Sequence, residues 1–447
     1  MKRIKKIDIK KEPQVLAIIG NGFDLHFGLK TRYSDFYAFM NRINTCVENY
    51  LSSDDNDDYW FEKYHNDFIN DGKGCILNQK ELSRDLFYRF KKEYSNNFFV
   101  KYFLYLNNSG FTWAGIETEL DRIIHTFDKA NIGLNYYLSK DNQIAFKVDE
   151  HVDKFLLDLF RKINYSDLYG YSEKTKMVTF MIRTISNIFG PKSFVLTERI
   201  ISDFNQNFPY AVKESLKKFE MLFYEYWLIY LPKDLKNEPD IFRIQNEDLL
   251  CFNPDNVDGN HFKPTKIINF NYTDYCMHNF NNLKEDDVRY IHGAFNSDCN
   301  LKFNIIFGIN SSDDEKFNFV NFKIFSKNNR RKVLGSDSNL SSFLKDIQTV
   351  VIYGHSLDKA DRDIIWKIIH EAKHNYEFEY CRVRSWPKEY TKNSIKHWQY
   401  PFKIVLYSYE YDSREQIDQI HKLEDLLWKK DFEKMYDNND IKLYATK

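Results

Sequence analysis

Two regimes of apolar patterning alternate along this chain. Near the start, the β-type run Gln14–Ile19 (QVLAII) leads straight into GNGFDL, and Ser34 then reads as the N-cap of a helix from Asp35 through Ile43. Strand, tight glycine turn and helix follow one another within thirty residues. From about residue 44 to residue 250 the pattern changes. Gln79–Tyr94, Thr112–Phe127, His151–Ile163 and Tyr210–Leu231 carry apolar residues at i, i+3, i+4 spacing, the signature of helices that bury one face. After Leu250 short β-type runs return: Lys266–Phe270, Val288–Ile291, Phe303–Phe307, Thr349–Tyr353, Phe378–Val383 and Phe402–Tyr407. Apolar strands separated by helices or long connections predict a mostly parallel sheet covered on both faces. The expected fold is α/β, with residues 1–43 and 251–447 forming one core and residues 44–250 a mostly helical insertion. That insertion would serve as a lid, an oligomerisation surface or simply a second core. Asp314–Lys332, rich in Asn, Lys and Phe, reads as a flexible loop near the sheet edge.

Composition narrows the function classes. Across 447 residues, 64 Lys and Arg stand against 65 Asp and Glu, so no net field gathers polyanions. A nucleic-acid coat is therefore disfavoured, although a local basic face on the helical block would still suit a nucleic-acid-directed effector. The opening MKRIKKIDIKKEPQ is basic but lacks the apolar stretch of a secretory signal, and no later run approaches the ~18 apolar residues of a membrane span. A cytoplasmic protein with no membrane association is expected, its N-terminus a solvated tail. The 6 cysteines are scattered without a CxxC pair, which argues against a disulfide framework and against a structural zinc; no metal is expected. The acidic stretch Asp54–Asp58 lacks a recognised ligand spacing and reads as an exposed loop.

Glycine placement is the sharpest local feature. Only 15 glycines occur, and Gly20, Gly22, Gly28, Gly293, Gly308 and Gly354 all fall at or just beyond the ends of predicted core strands, where α/β sheets bind ligands. Gly20 and Gly22, flanking Asn21, would let the backbone approach a diphosphate at the start of the next helix; a plain strand-to-helix turn explains them equally well. The pattern is not GxGxxG, and Asp24 would sit badly beside a pyrophosphate unless it faced a ribose hydroxyl or an amide. In INFNYTDY, Asn269, Asn271, Thr273 and Asp274 follow a strand and suit sugar hydroxyls, an amide or a water, or merely a turn. His292 ends a strand beside Gly293; a lone histidine is usually structural, but this position is better placed for general-base work. Gly354, His355 and Ser356 follow another, with Asp358 or Asp361 opening a helix.

Taken in order, GNGFDLHFGLKTRYSDF, FNYTD, IHG followed by IIFG, and YGHSLDKAD resemble the signature blocks of the AbiH abortive-infection family, and WAGIETEL (Trp113 to Leu120) resembles its helical W-x-x-x-E element. These blocks are in turn similar in order to those of sirtuin-like domains, a Rossmann-like fold in which they surround NAD. That resemblance implies NAD or a related adenine nucleotide as substrate or ligand. It would be contacted by Gly20, Asn21, Gly22, Asp24, Thr273, Asp274, Gly354, His355 and Ser356, with Asn271 and His292 holding a catalytic water. Asn21 in place of a small alanine, Asp24 in place of a serine, and the missing zinc cysteines argue against a lysine deacylase. The expected function is anti-phage defence by an NAD glycohydrolase-like hydrolase, with a phage-derived trigger and a homo-oligomer as further expectations. A catalytically silent nucleotide sensor is the alternative. The architecture also predicts that Gly22, Asn271, His292 and Gly354 converge at the C-terminal edge of one sheet holding Gln14–Ile19 and Thr349–Tyr353.

Overall fold

The computed structural model describes residues 14–26, 29, 31–51, 85–106, 115–125, 198–230, 264–280, 283–294, 305–309, 320–384, 402–408 and 413–445. Gly28, Trp113, Asp54–Asp58 and His151–Ile163 lie outside them. By its contacts the chain divides into two compact units, Met1–Lys30 with Asp234–Ile305 and Arg331–Lys447, and Thr31–Lys233 with Ile306–Arg330.

The first unit holds a six-stranded sheet: β1 (Gln14–Ile19), β2 (Lys266–Asn269), β3 (Val288–Tyr290), β4 (Ile347–Tyr353), β5 (Lys403–Ser408) and β6 (Ile441–Ala445). Their order is β3-β2-β1-β4-β5-β6 and every pairing is parallel. This is the doubly wound Rossmann order, in which the connections reverse direction between β1 and β4 and open a crevice at the strand ends. The strands β1, β4 and β5 read as mainly apolar runs because both faces are covered. One face carries Leu16, Ile18, Ile268, Val350, Ile352, Ile404 and Leu406, all buried in a cluster with Ile364, Ile365, Ile368, Ile369 and Ala372 of the long helix Arg362–Arg384. Alternate residues Ala17, Ile19, Ile267, Val351, Tyr353, Val405 and Tyr407 are buried on the other face.

The second unit is helical and built on aromatic packing. Phe36 and Phe39 of the helix Tyr33–Leu51 pack with Phe219, Phe223 and Tyr226 of the helix Glu198–Tyr230, and Phe103 of the helix Phe98–Leu106 stacks on Phe219 at 5.2 Å. Several buried polar groups here are paired: Tyr94 donates to Glu225 at 2.8 Å, Tyr102 to Glu119 at 2.9 Å, and Lys327 meets Glu117.

Four local expectations are corrected. Phe303–Phe307 forms no strand over residues 305–307; the Phe307 ring packs on Phe219 and Phe223 and its N–H donates to Glu220 Oε1 at 3.0 Å, so the second unit meets both its apolar and polar needs. Phe378–Val383 continues the helix Arg362–Arg384, since a short apolar run does not by itself separate strand from buried helix. Residues 320–325 form a 3-10 segment and Lys327–Leu334 a helix, where a loop was expected. Ser34 lies inside the helix that begins at Tyr33, whose start is secured by Asp35 accepting from the Arg32 N–H at 3.2 Å. The strand β6, with its mixed IKLYA sequence, escapes the apolar pattern altogether.

Ile352 is 1% exposed between the sheet and Arg362–Arg384, so Ile352→Ala is expected to cost about 2–5 kcal/mol, read as a lower urea midpoint.

Candidate functional site

Every site residue expected from the sequence falls in the first unit, just past the C-terminal end of β1, β2, β3 or β4. From β1 the chain enters the single-turn helix α1 (Asn21–His26), and here the backbone is tied to the turn after β4. Gly20 N–H donates to the Tyr353 carbonyl at 2.9 Å, Gly22 N–H to the Gly354 carbonyl at 2.8 Å, and Phe23 N–H back to the Gly20 carbonyl at 2.9 Å. A Cβ on Gly20 would stand 2.5 Å from the Gly354 oxygen, and one on Gly22 2.7 Å from the Gly354 Cα. Gly354 itself has φ +63°, and a Cβ there would lie 2.1 Å from the Phe23 nitrogen. These glycines therefore let two strand-end turns touch. Their N–H groups are engaged by carbonyls, as the plain strand-to-helix turn requires.

After β2 the chain folds back on itself through side-chain amides. Asn269 Nδ2 donates to the Thr273 carbonyl at 2.7 Å and its Oδ1 accepts from Asn271 N–H at 2.8 Å, so Asn271 and Thr273 are presented in fixed orientation. Asn271 Nδ2 reaches the Gly20 carbonyl at 3.0 Å, and Thr273 Oγ1 donates to Asp24 Oδ2 at 2.6 Å. Asp274 stands at the start of the short helix Tyr275–Asn279 without a side-chain capping bond. The turn after β4 is held by residues of the helix Arg414–Leu426. Gln419 Nε2 donates to the His355 carbonyl at 3.0 Å, Lys422 to the Ser356 carbonyl at 3.1 Å, and Ser356 is itself exposed. The His355 ring lies 4.5 Å from that of Phe270, and its Nδ1 accepts from Leu357 N–H at 2.9 Å.

His292, 4% exposed at the end of β3, faces the Phe270 carbonyl with Nδ1 at 3.1 Å and Asp361 Oδ1 with Nε2 at 2.8 Å. A carbonyl only accepts, so Nδ1 carries a proton; with the carboxylate at Nε2, neither ring nitrogen offers a free lone pair to a water. Behind it lies Arg331, 0% exposed, with Nη1 3.9 Å from Asp361 Oδ1 and Nη2 bonded to Asp363. Its Nε and Nη1 have no hydrogen-bond partner among the described residues. Sequence reasoning missed Arg331, because its helix was taken for a loop, and saw in Asp361 only a helix start.

Asp24 is a strongly perturbed group of the site. It is 1% exposed, and burial pushes its carboxyl up to about 7; the Thr273 hydroxyl and the Asn271 amide pull it down, and Asp274 pushes it up. Asn271 Nδ2 donates to the Gly20 carbonyl and its amide also bears on Asp24; among the described residues Oδ1 of Asp24 has no hydrogen-bond partner. Burial, reinforced by Asp24 and Asp274, also drives the Cys276 thiol far above its ordinary value, which removes a thiolate nucleophile. Among the described residues no cluster of three His, Cys, Asp or Glu side chains suits a metal ion, and no helix is long and apolar enough to cross a membrane.

Fold and site together define a Rossmann-like α/β protein whose polar residues gather at the switch-point edge of a parallel sheet. Residues 16–381 match the family described as bacteriophage abortive infection AbiH, and the chain belongs to that family. Its role is accordingly in phage abortive infection, a form of anti-phage defence. No curated protein and no solved structure matches the chain at a significant level.

Burial of Asp24 has a measurable pH signature. The unfolded carboxyl ionises near 3.8 and the folded one near 7, so the folded state prefers the neutral acid, and stability falls as pH rises from about 4 to 7. The shift of about three units corresponds to about 4 kcal/mol. Urea denaturation of Asp24→Asn between pH 4 and pH 8 is expected to lack that decline and to exceed wild type at pH 8. Gly354→Ala is expected to destabilise at every pH, as a lower melting temperature, because its Cβ meets the Phe23 backbone.

Proposed function

We propose that this AbiH protein acts on a nucleotide at the strand-end site, cleaving the N-glycosidic bond of NAD or a related adenine nucleotide to halt the infected cell. The observation that carries the reading is the meeting of the turns after β1 and β2 around Asn271, Thr273 and a buried Asp24: Asn271 and Thr273 both bond the β1 turn, at 3.0 and 2.6 Å. Amide, hydroxyl and carboxyl groups at the end of a parallel sheet suit ribose hydroxyls and a single water. The chemistry needs little more than positioning. The C1′–N bond breaks, nicotinamide leaves with the bonding pair, and water adds to the oxocarbenium-like carbon, its proton passing to the protein and then to solvent. Asn271 orients that water, and His292, locked by Asp361, fixes the Phe270–Asp274 loop from which Asn271 projects. With the N–H groups of Gly20, Gly22 and Phe23 engaged, diphosphate contacts fall to Asn21 and to the turn carrying His355 and Ser356.

A second reading, a nucleotide sensor without turnover, is favoured by one observation: both ring nitrogens of His292 are occupied within the protein. One experiment separates the two. Asn271→Ala and His292→Ala are each expected to lower nicotinamide release from NAD by at least ~100-fold, while calorimetric binding of ADP-ribose changes far less. Wild type that binds ADP-ribose but releases no nicotinamide, with or without phage lysate, gives the sensor reading the advantage.

A further inference from the structure

We propose that Asp24 is the proton acceptor of this site, taking the proton of the attacking water through the Thr273 hydroxyl. This rests on the nucleotide-cleaving reading above and names the base that reading lacks. A base needs a free lone pair near the reacting water, and His292 has none: Nδ1 faces the Phe270 carbonyl at 3.1 Å and Nε2 faces Asp361 at 2.8 Å. Asp24 has the opposite arrangement. Its Oδ2 accepts from Thr273 Oγ1 at 2.6 Å, and its Oδ1 is buried without a hydrogen-bond partner among the described residues. An ionised carboxylate with an unsatisfied oxygen is costly to bury, and binding a proton relieves it.

The step balances. Water forms the O–C1′ bond as the C1′–N bond breaks; one water proton moves to Thr273 Oγ1, whose own proton passes to Asp24 Oδ2. Neutral Asp24 later releases that proton to solvent, so the sum is one nucleotide and one water giving nicotinamide, the ADP-ribosyl product and one proton. The groups bearing on Asp24 are Thr273 and Asn271 from the β2 turn, which favour its ionised form, and the Asp274 carboxyl, which opposes it; the Cys276 thiol nearby stays protonated. Burial sets the carboxyl at about 7, where a base is both substantially ionised and strong enough to take a proton at neutral pH.

The test is the pH profile of nicotinamide release by the full chain. Wild-type kcat should rise with pH through an inflection near 7. Asp24→Asn should lower the plateau by at least ~100-fold and abolish the inflection. Thr273→Val should cut the relay and lose rate similarly, with Thr273→Ser restoring most of what Val removes. Thermal melting accompanies each variant; Asp24→Asn should melt no lower than wild type at pH 8, so lost activity is not lost fold. Asp24→Asn that keeps the wild-type rate or inflection overturns the assignment while leaving the cleavage reading intact. Wild type that releases no nicotinamide at all removes the cleavage reading, and this inference with it.

Discussion

The contact on which the site depends is backbone against backbone. The turns after β1 and β4 meet through Gly20, Gly22 and Gly354, closely enough that a methyl group on any of the three would collide with main-chain atoms. Two hydrogen bonds, from Gly20 and Gly22 to the carbonyls of Tyr353 and Gly354, lock that approach. It occurs at the reversal point of the Rossmann order, where many α/β proteins keep an open crevice for a diphosphate. Here the crevice floor is protein. The polar chemistry forms two sets, Asn271 and Thr273 with Asp24 and the β1 turn, and His292 with Asp361.

The His292 group shows how a charge is kept in an interior. Arg331 is fully enclosed, yet Asp363 bonds one of its nitrogens and Asp361 lies within 3.9 Å of another while holding His292. Removing one member of such a set leaves its partner buried and uncompensated, which costs more than the set contributes as a whole. Leu357 adds local strain: its φ of 54° is unusual for a branched side chain, and the His355 ring, accepting its N–H, helps hold it there.

Much of this architecture is legible in the sequence, for identifiable reasons. Strands such as QVLAII and TVVIY are buried on both faces, so they appear as unbroken apolar runs, and the polar residues that follow them must lie at the sheet's C-terminal edge. What stays hidden depends on pairing between distant segments. Nothing near Asp24 announces that its carboxyl will be sealed under Thr273, 249 residues away. Arg331 sits in a polar stretch, KNNRRKVL, whose helical period is masked by charge, and its burial follows only from where Asp361 and Asp363 arrive. The glycines were visible, but whether their N–H groups faced a ligand or a carbonyl turned on how near β4 came to β1.

The parallel order has a further cost in time. Val15 finds its partner Thr265 only 250 residues later, and β4 later still. At ribosomal speeds of about 5–20 residues per second, the apolar strand β1 waits on the order of ten seconds or more with both edges unpaired. During synthesis it is an unsheltered strand of the kind that seeks any available edge. For a protein of abortive infection, this couples the birth of the site to synthesis past β4: no fragment ending before β4 can close the glycine contact, so such a truncated product carries the strand but not the site.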